Sequence, residues 1–93
     1  MERRVLKEDE LAAELGSLAG WSVDGKELVR HYKFDNFGDA LAFVNKVGEV
    51  AEAADHHPDI KFGWGFAEIR FTTHDRGGIT DVDIAAAKAI DEL

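Results

Sequence analysis

The sequence predicts an α+β fold in which helix, two strands, helix, two strands and helix follow one another, with one antiparallel sheet covered by helices on one face. Three observations lead there. Apolar residues recur at helical spacing in three stretches, around Leu11 to Leu18, Phe37 to Ala51 and after Thr80. Between them lie two stretches of alternating apolar and polar residues, each broken by a glycine turn signal. The only proline, Pro58, stands where the middle helix must give way to the second pair of strands.

The first helix is predicted within Lys7 to Leu18, where Leu11, Leu15 and Leu18 share a face and Gly16 and Gly20 close the segment. Trp21 and Val23 then alternate with polar residues, Asp24-Gly25 signals a turn, and Leu28 to Phe34 resumes an extended pattern with Tyr32 and Phe34 on one side. A hairpin with a four-residue loop fits. Asp35-Asn36 can cap a helix whose stripe runs Phe37, Leu41, Val44, Val47 and Ala51, with Asp39 well placed in its first turn. That helix is expected to last until about Asp55, because Pro58 cannot continue it and biases His57 toward extended backbone.

In the second hairpin a two-residue turn at Gly65-Phe66 would pair Trp64 with Ala67, Phe62 with Ile69 and Ile60 with Phe71, placing Lys61, Gly63, Glu68, Arg70 and Thr72 on the opposite face. Glycine at the first central position suits a type II′ turn. For the last helix, the Thr80 hydroxyl can cap, Asp83 stands three residues on, and Ile79 and Ile84 can form a hydrophobic staple. Val82, Ala86, Ala89 and Leu93 are expected to face inward.

Bulk properties narrow the function. A chain of 93 residues suits one domain, residues 1–93, and 45% hydrophobic with 32% charged residues favours a folded core. Eleven Lys and Arg against 19 Asp and Glu give a formal charge of -8, which repels nucleic-acid backbones and anionic lipid. Without cysteine there is neither a disulfide framework nor a thiol nucleophile, and Met1-Glu2-Arg3-Arg4 begins no apolar run of signal or membrane-span length. A soluble, cytoplasmic protein is the expectation.

The residues able to carry chemistry are histidines. Extending the Gly65-Phe66 register outward sets His57 opposite His74, on the face away from Ile60 and Phe62. His56 lies four residues after Glu52, the helical spacing at which a carboxylate can meet an imidazole and fix its tautomer, with Asp55 a less well-oriented alternative. Three imidazoles at one helix end and one hairpin base form an acid and base set that works near neutral pH.

The bland readings stand beside these. A histidine pair before a helix-stopping proline can be merely solvated, and His31, in mid-strand, reads as structural. Adjacent His56 and His57 diverge and no carboxylate spacing matches a metalloenzyme motif, so no metal is expected. Trp64 reads as core from the hairpin register, although an indole near a binding face can also stack on a planar heterocycle. Asp83 with Thr80 is accounted for by a helix cap. Gly77-Gly78 lacks the lysine and helix spacing of a phosphate loop.

Taken together, Glu52, His56-His57-Pro58, Trp64, His74 and Asp83, with Gly20-Trp21-Ser22 and the run from Thr73-His74 to Gly78-Ile79-Thr80, resemble the pterin-4a-carbinolamine dehydratases over nearly the whole chain. The resemblance implies an αββαββα fold with a four-stranded antiparallel sheet and assembly as a homodimer or homotetramer. It implies elimination of water from 4a-hydroxytetrahydropterin to give quinonoid dihydropterin, recycling the cofactor of aromatic amino-acid hydroxylases, with no metal or organic cofactor. His56, His57 and His74 take the family's pterin-binding and proton-transferring positions, Glu52 the supporting acidic position, and Asp83 a further acidic position near the site. The same resemblance extends to non-catalytic relatives, a dimerisation cofactor for a transcription factor and assembly factors for ribulose bisphosphate carboxylase. A binding module is therefore the rival expectation, and retention of all three histidines with Glu52 favours catalysis.

Overall fold

The computed structural model describes residues 3–93; Met1 and Glu2, at the charged start noted above, lie outside them. Seven elements follow in the predicted order: α1 (Glu8–Leu15), β1 (Trp21–Asp24), β2 (Glu27–Lys33), α2 (Phe37–Ala54), β3 (Asp59–Gly63), β4 (Phe66–Phe71) and α3 (Asp81–Asp91). The strands form one sheet in the order β1-β2-β4-β3, and every neighbouring pair is antiparallel. Leu28, Ile69 and Phe71 on one sheet face pack against Val47 of α2 and Ile84, Ala87 and Ile90 of α3. Removing each of the Leu, Ile, Val and Phe side chains from water contributes about 1.5–3 kcal/mol, so this layer is a large source of stability.

Local chemistry explains the boundaries. Glu8, Asp9 and Glu10 crowd the first turn of α1, where the helix dipole favours negative charge, and the Lys7 N–H donates to Glu10 Oε1 at 2.9 Å. The helix stops at Leu15, three residues short of the expected Leu18. From there the Leu18 N–H donates to the Leu15 carbonyl at 3.1 Å in a tighter turn that buries Leu18 in the core. The first hairpin closes with two residues, Gly25-Lys26, in place of the expected four, because Gly25 at φ 62 supplies the left-handed step a two-residue turn requires.

Asn36 caps α2, its side chain accepting the Asp39 N–H at 2.8 Å. The inward stripe is Ala40, Val47 and Ala51, with Phe43 and Val50 packed beside it. Phe37 and Leu41, expected inside, are exposed. Phe37 meets the Phe62 ring of the edge strand β3 at 5.6 Å, where no further strand among the described residues extends the sheet to cover it. In α3 the inward residues are Ile84, Ala86, Ala87 and Ile90. Of the expected set only Ala86 is buried. Val82 and Ala89 line a shallow groove facing Val50 and Ala54 of α2, and Leu93, beyond the helix end, is exposed. The Trp21 indole N–H reaches Asp91 Oδ1 at 2.9 Å and Arg30 reaches the same oxygen at 2.7 Å, tying the first hairpin to the end of α3.

The second hairpin corrects the expected register. Its turn is Trp64-Gly65, and the pairs are Phe62 with Ala67, Lys61 with Glu68 and Ile60 with Ile69. Gly65 has φ 81 and sits at the second central position, so it supplies the positive φ there, as in a type II turn, and not at the first. Trp64 is carried out of the core face to the turn, where it is 72% exposed.

Candidate active site

The site is built at the other end of that hairpin, where α2 stops. Asp55 adopts a left-handed conformation (φ 51, ψ 41), and the His56 N–H returns to the Ala51 carbonyl at 3.2 Å, the closing bond of a Schellman cap. This reversal throws His56 off the helix, and Pro58 then commits the chain to β3. The spacing argument that paired Glu52 with His56 assumed a helix running through both. Because the helix ends first, Glu52 bonds His57 Nε2 instead, an exposed pair.

His56 turns the opposite way. Its ring stacks on Phe71 with centroids 5.8 Å apart, and its Nε2 lies 2.5 Å from Asp83 Oδ1. Asp83 is wholly buried and has two duties: Oδ2 accepts the Thr80 N–H at 2.9 Å, completing the α3 capping box, while Oδ1 holds His56. The expected cap is present, and the carboxylate also belongs to the histidine cluster.

His74 comes from the turn after β4. The Thr73 carbonyl accepts the Arg76 and Gly77 N–H groups at 3.0 and 2.9 Å, Thr73 and Gly78 form a bridge, and Gly77 takes φ 76. His57 and His74 are not opposite one another in the ladder, since β3 begins at Asp59 and β4 ends at Phe71. They nevertheless meet: His56, His57 and His74 all line one open cavity of about 310 Å³. Asp55 contributes to its wall, and Glu52 and Asp83 bond two of its imidazoles. Trp64, expected either as core or as a stacking group, belongs to neither, being at the far end of the hairpin.

Sequence reasoning missed part of the wall: Thr72, Thr73, Asp75 and Arg3. The strand pattern could have suggested Thr72, since it follows Arg70 on the sheet face away from the core. No sequence signal could have suggested Arg3. It arrives through a bridge between Val5 and Thr80, with the Leu6 N–H on the Ile79 carbonyl at 2.9 Å. Its guanidinium donates to Asp75 Oδ1 at 2.5 Å on the cavity rim.

The arrangement suits proton transfer. In His56 and His57 a carboxylate engages Nε2, which orients each ring and leaves Nδ1 without a protein partner among the described residues. His74 adds a third, exposed imidazole. Among the described residues no group of three or more His, Asp or Glu is placed to hold a metal ion. No helix among them is long and apolar enough to cross a membrane.

Comparison with known proteins places the chain in a family. The family profile for pterin 4 alpha carbinolamine dehydratase matches residues 4–93. A Chloroflexus aurantiacus protein provisionally named as such a dehydratase is 46% identical over 88 residues, covering 95% of each chain. One from Rubrobacter xylanophilus, named in the same way, is 49% identical over 89 residues, covering 95% of this chain and 83% of its own. Among solved structures, a transcriptional coactivator/pterin dehydratase from Brucella melitensis superimposes with a TM-score of 0.89 at 32% identity, covering 96% and 97% of the two chains. A pterin dehydratase-like RuBisCO assembly factor of the alpha-carboxysome shares the fold, with a TM-score of 0.67 at 22% identity over 78% of this chain and 87% of its own. With its full-length match and its histidine-lined cavity, the chain belongs to the pterin 4 alpha carbinolamine dehydratase family.

Proposed function

We propose that the protein is a hydro-lyase that eliminates water from 4a-hydroxytetrahydropterin to give quinonoid dihydropterin, recycling the cofactor of aromatic amino-acid hydroxylases in the cytoplasm. The observation that carries the reading is the convergence of three imidazoles, two of them backed by carboxylates, on one cavity of about 310 Å³. That volume is at the lower end of small-ligand sites, suited to a bicyclic ring with its side chain left outside.

The chemistry needs one acid and one base. The C4a–O bond breaks as an imidazolium protonates the leaving oxygen, which departs as water. N5 gives its proton to a neutral imidazole as the C4a–N5 double bond forms. No electrons are gained or lost, so His56, His57 and His74 suffice, with Glu52 and Asp83 orienting the first two and Asp55 forming wall. The protein is expected to work as a homodimer or homotetramer, which light scattering reads directly.

The test is the decay of 4a-hydroxytetrahydropterin followed by absorbance. Wild type is expected to accelerate it, and His57→Ala and His74→Ala each to lose on the order of 10²-fold or more. A second reading, a binding module without catalysis, is suggested by the Brucella melitensis relative, which is named a transcriptional coactivator as well as a pterin dehydratase. It predicts a decay rate that added protein does not change, and that result would replace the dehydratase reading.

A further inference from the structure

We infer that Asp55 selects the heterocycle: its carboxylate accepts the two parallel N–H donors of a 2-aminopyrimidin-4-one edge, the N3–H and the 2-amino group of a pterin. The inference rests on the dehydratase reading only for the kind of ring that fills the cavity.

Asp55 is poorly suited to the place it occupies. It closes α2 in the left-handed region, at φ 51 and ψ 41, where a side chain is strained and glycine is the usual residue. The carboxylate also stands at the negative end of the helix dipole, after a last turn that holds Glu52 and no basic residue. Neither cost is offset within the fold, because Asp55 is exposed and its side chain bonds to nothing among the described residues. A residue unfavourable to the fold on two counts, standing in the cavity wall beside His56 and His57, is explained by what the cavity takes up.

Elimination points to the same carboxylate. Glu52 is committed to His57, Asp83 to His56 and the α3 cap, and Asp75 to Arg3 at 2.5 Å with Arg76 beside it. The Thr72 hydroxyl donates to the Lys26 carbonyl at 2.6 Å, Thr73 is bonded to Asp83 and Thr80, and Arg3 can only donate. Asp55 is therefore the one side chain of the described wall with both acceptor oxygens uncommitted. The N1–C2–N3 edge of a pterin is a guanidine fragment, and its two N–H groups match a carboxylate as a guanidinium does. Within the pyrimidine ring C2 stands opposite C4a, so a ring held at that edge keeps its reacting bonds clear of Asp55, which binds without joining the proton transfer. A ring with a carbonyl at C2 would set oxygen lone pairs against the carboxylate and be rejected.

The test uses two stable rings that differ at C2, 6-methyl-7,8-dihydropterin and 6-methyl-7,8-dihydrolumazine, titrated by calorimetry into wild type and Asp55→Asn. Asparagine tolerates the left-handed backbone and keeps the shape, but it offers one acceptor and turns an N–H against the ring's own donor. Wild type is expected to favour the amino ring by on the order of 10²-fold, and Asp55→Asn to lose most of that preference together with about 10- to 100-fold in affinity. In pterin decay the variant should raise KM by a like factor with kcat little changed, and its urea midpoint should equal or exceed that of wild type. Wild type that binds the two rings alike, even while accelerating pterin decay, or that binds neither, overturns the inference without any variant. So does an Asp55→Asn protein that keeps the preference, or one whose midpoint falls, since the carboxylate would then serve the fold. A preference for the amino ring that depends on Asp55, in a protein that never accelerates pterin decay, would uphold the inference and sink only the dehydratase reading.

Discussion

Two carboxylate–imidazole pairs of opposite burial stand at the candidate site, and removing the acid from each should have very different consequences. In Asp83→Ala, three donors lose their acceptor: the Thr73 hydroxyl, the Thr80 N–H and His56 Nε2. The Thr73 proton can turn to Thr80 Oγ1, which leaves two buried donors orphaned at about 1–3 kcal/mol each. One of these two is the capping-box bond from the Thr80 N–H, so the total is roughly 2–6 kcal/mol. With a urea slope of about 1.5 kcal/mol per molar for a chain this small, the unfolding midpoint should fall by roughly 1.3–4 M, a large part of the total stability such domains possess. Glu52→Ala removes the bond to His57, but the Glu52 side chain is 77% exposed and that of His57 56%, so water takes its place and the midpoint should not move beyond error. The assay is urea unfolding followed by circular dichroism, with the slope checked for constancy. Equal midpoint shifts for the two variants, or a shift below roughly 0.7 M for Asp83→Ala, would refute the burial argument.

Three further outcomes are expected. In single-tryptophan proteins, Trp21→Phe and Trp64→Phe, acrylamide should quench Trp64 freely and Trp21 poorly, since one indole is 72% and the other 6% exposed; similar quenching would contradict the turn position of Trp64. Burial pushes the phenol of Tyr32, the only tyrosine, from 10.0 up to about 12, helped by Asp91 and opposed by Arg30. The unfolded chain then deprotonates first, so the stability Tyr32 confers is complete below about pH 10 and lost as pH rises toward about 12. Phenolate absorbance with and without urea reads both midpoints, and Tyr32→Phe should remove that decline. Gly65→Ala should cost about 1–2 kcal/mol by thermal or urea unfolding, because a side chain at φ 81 is strained and its Cβ would stand 3.2 Å from the Phe34 carbonyl oxygen; an unchanged midpoint would contradict the turn assignment.

The sequence carried the element order completely, because periodicity, caps and the lone Pro58 are local signals. It carried the faces of the second hairpin but not its register. Moving the turn from Gly65-Phe66 to Trp64-Gly65 changes each partner by two residues, and a two-residue slip keeps every side chain on its own face. Ile60 therefore finds an apolar neighbour whether it pairs with Phe71 or with Ile69, and only the backbone demand of Gly65 decides. The three histidines were legible as a group through their spacing about Pro58 and His74. Their acidic supports were misassigned at one point: the pairing of Glu52 with His56 depended on where α2 ends, which the left-handed Asp55 settles. Asp83 was visible as a cap and not as the acceptor for His56, since nothing local links positions 27 residues apart. Thr73 and Arg3 were invisible for the same reason.

The way Arg3 reaches the cavity bears on how the protein is handled in the laboratory. The bridge from Val5 to Thr80 and the bond from the Arg3 N–H to Asp81 Oδ1 at 3.0 Å lay residues 3–5 along the mouth that the histidines share. A polyhistidine tract on the N-terminal side is therefore tethered to the rim of the cavity through Arg3, within reach of a site whose own chemistry is imidazole. Activity and ligand-affinity measurements are better made on protein tagged after Leu93, which is exposed beyond the end of α3.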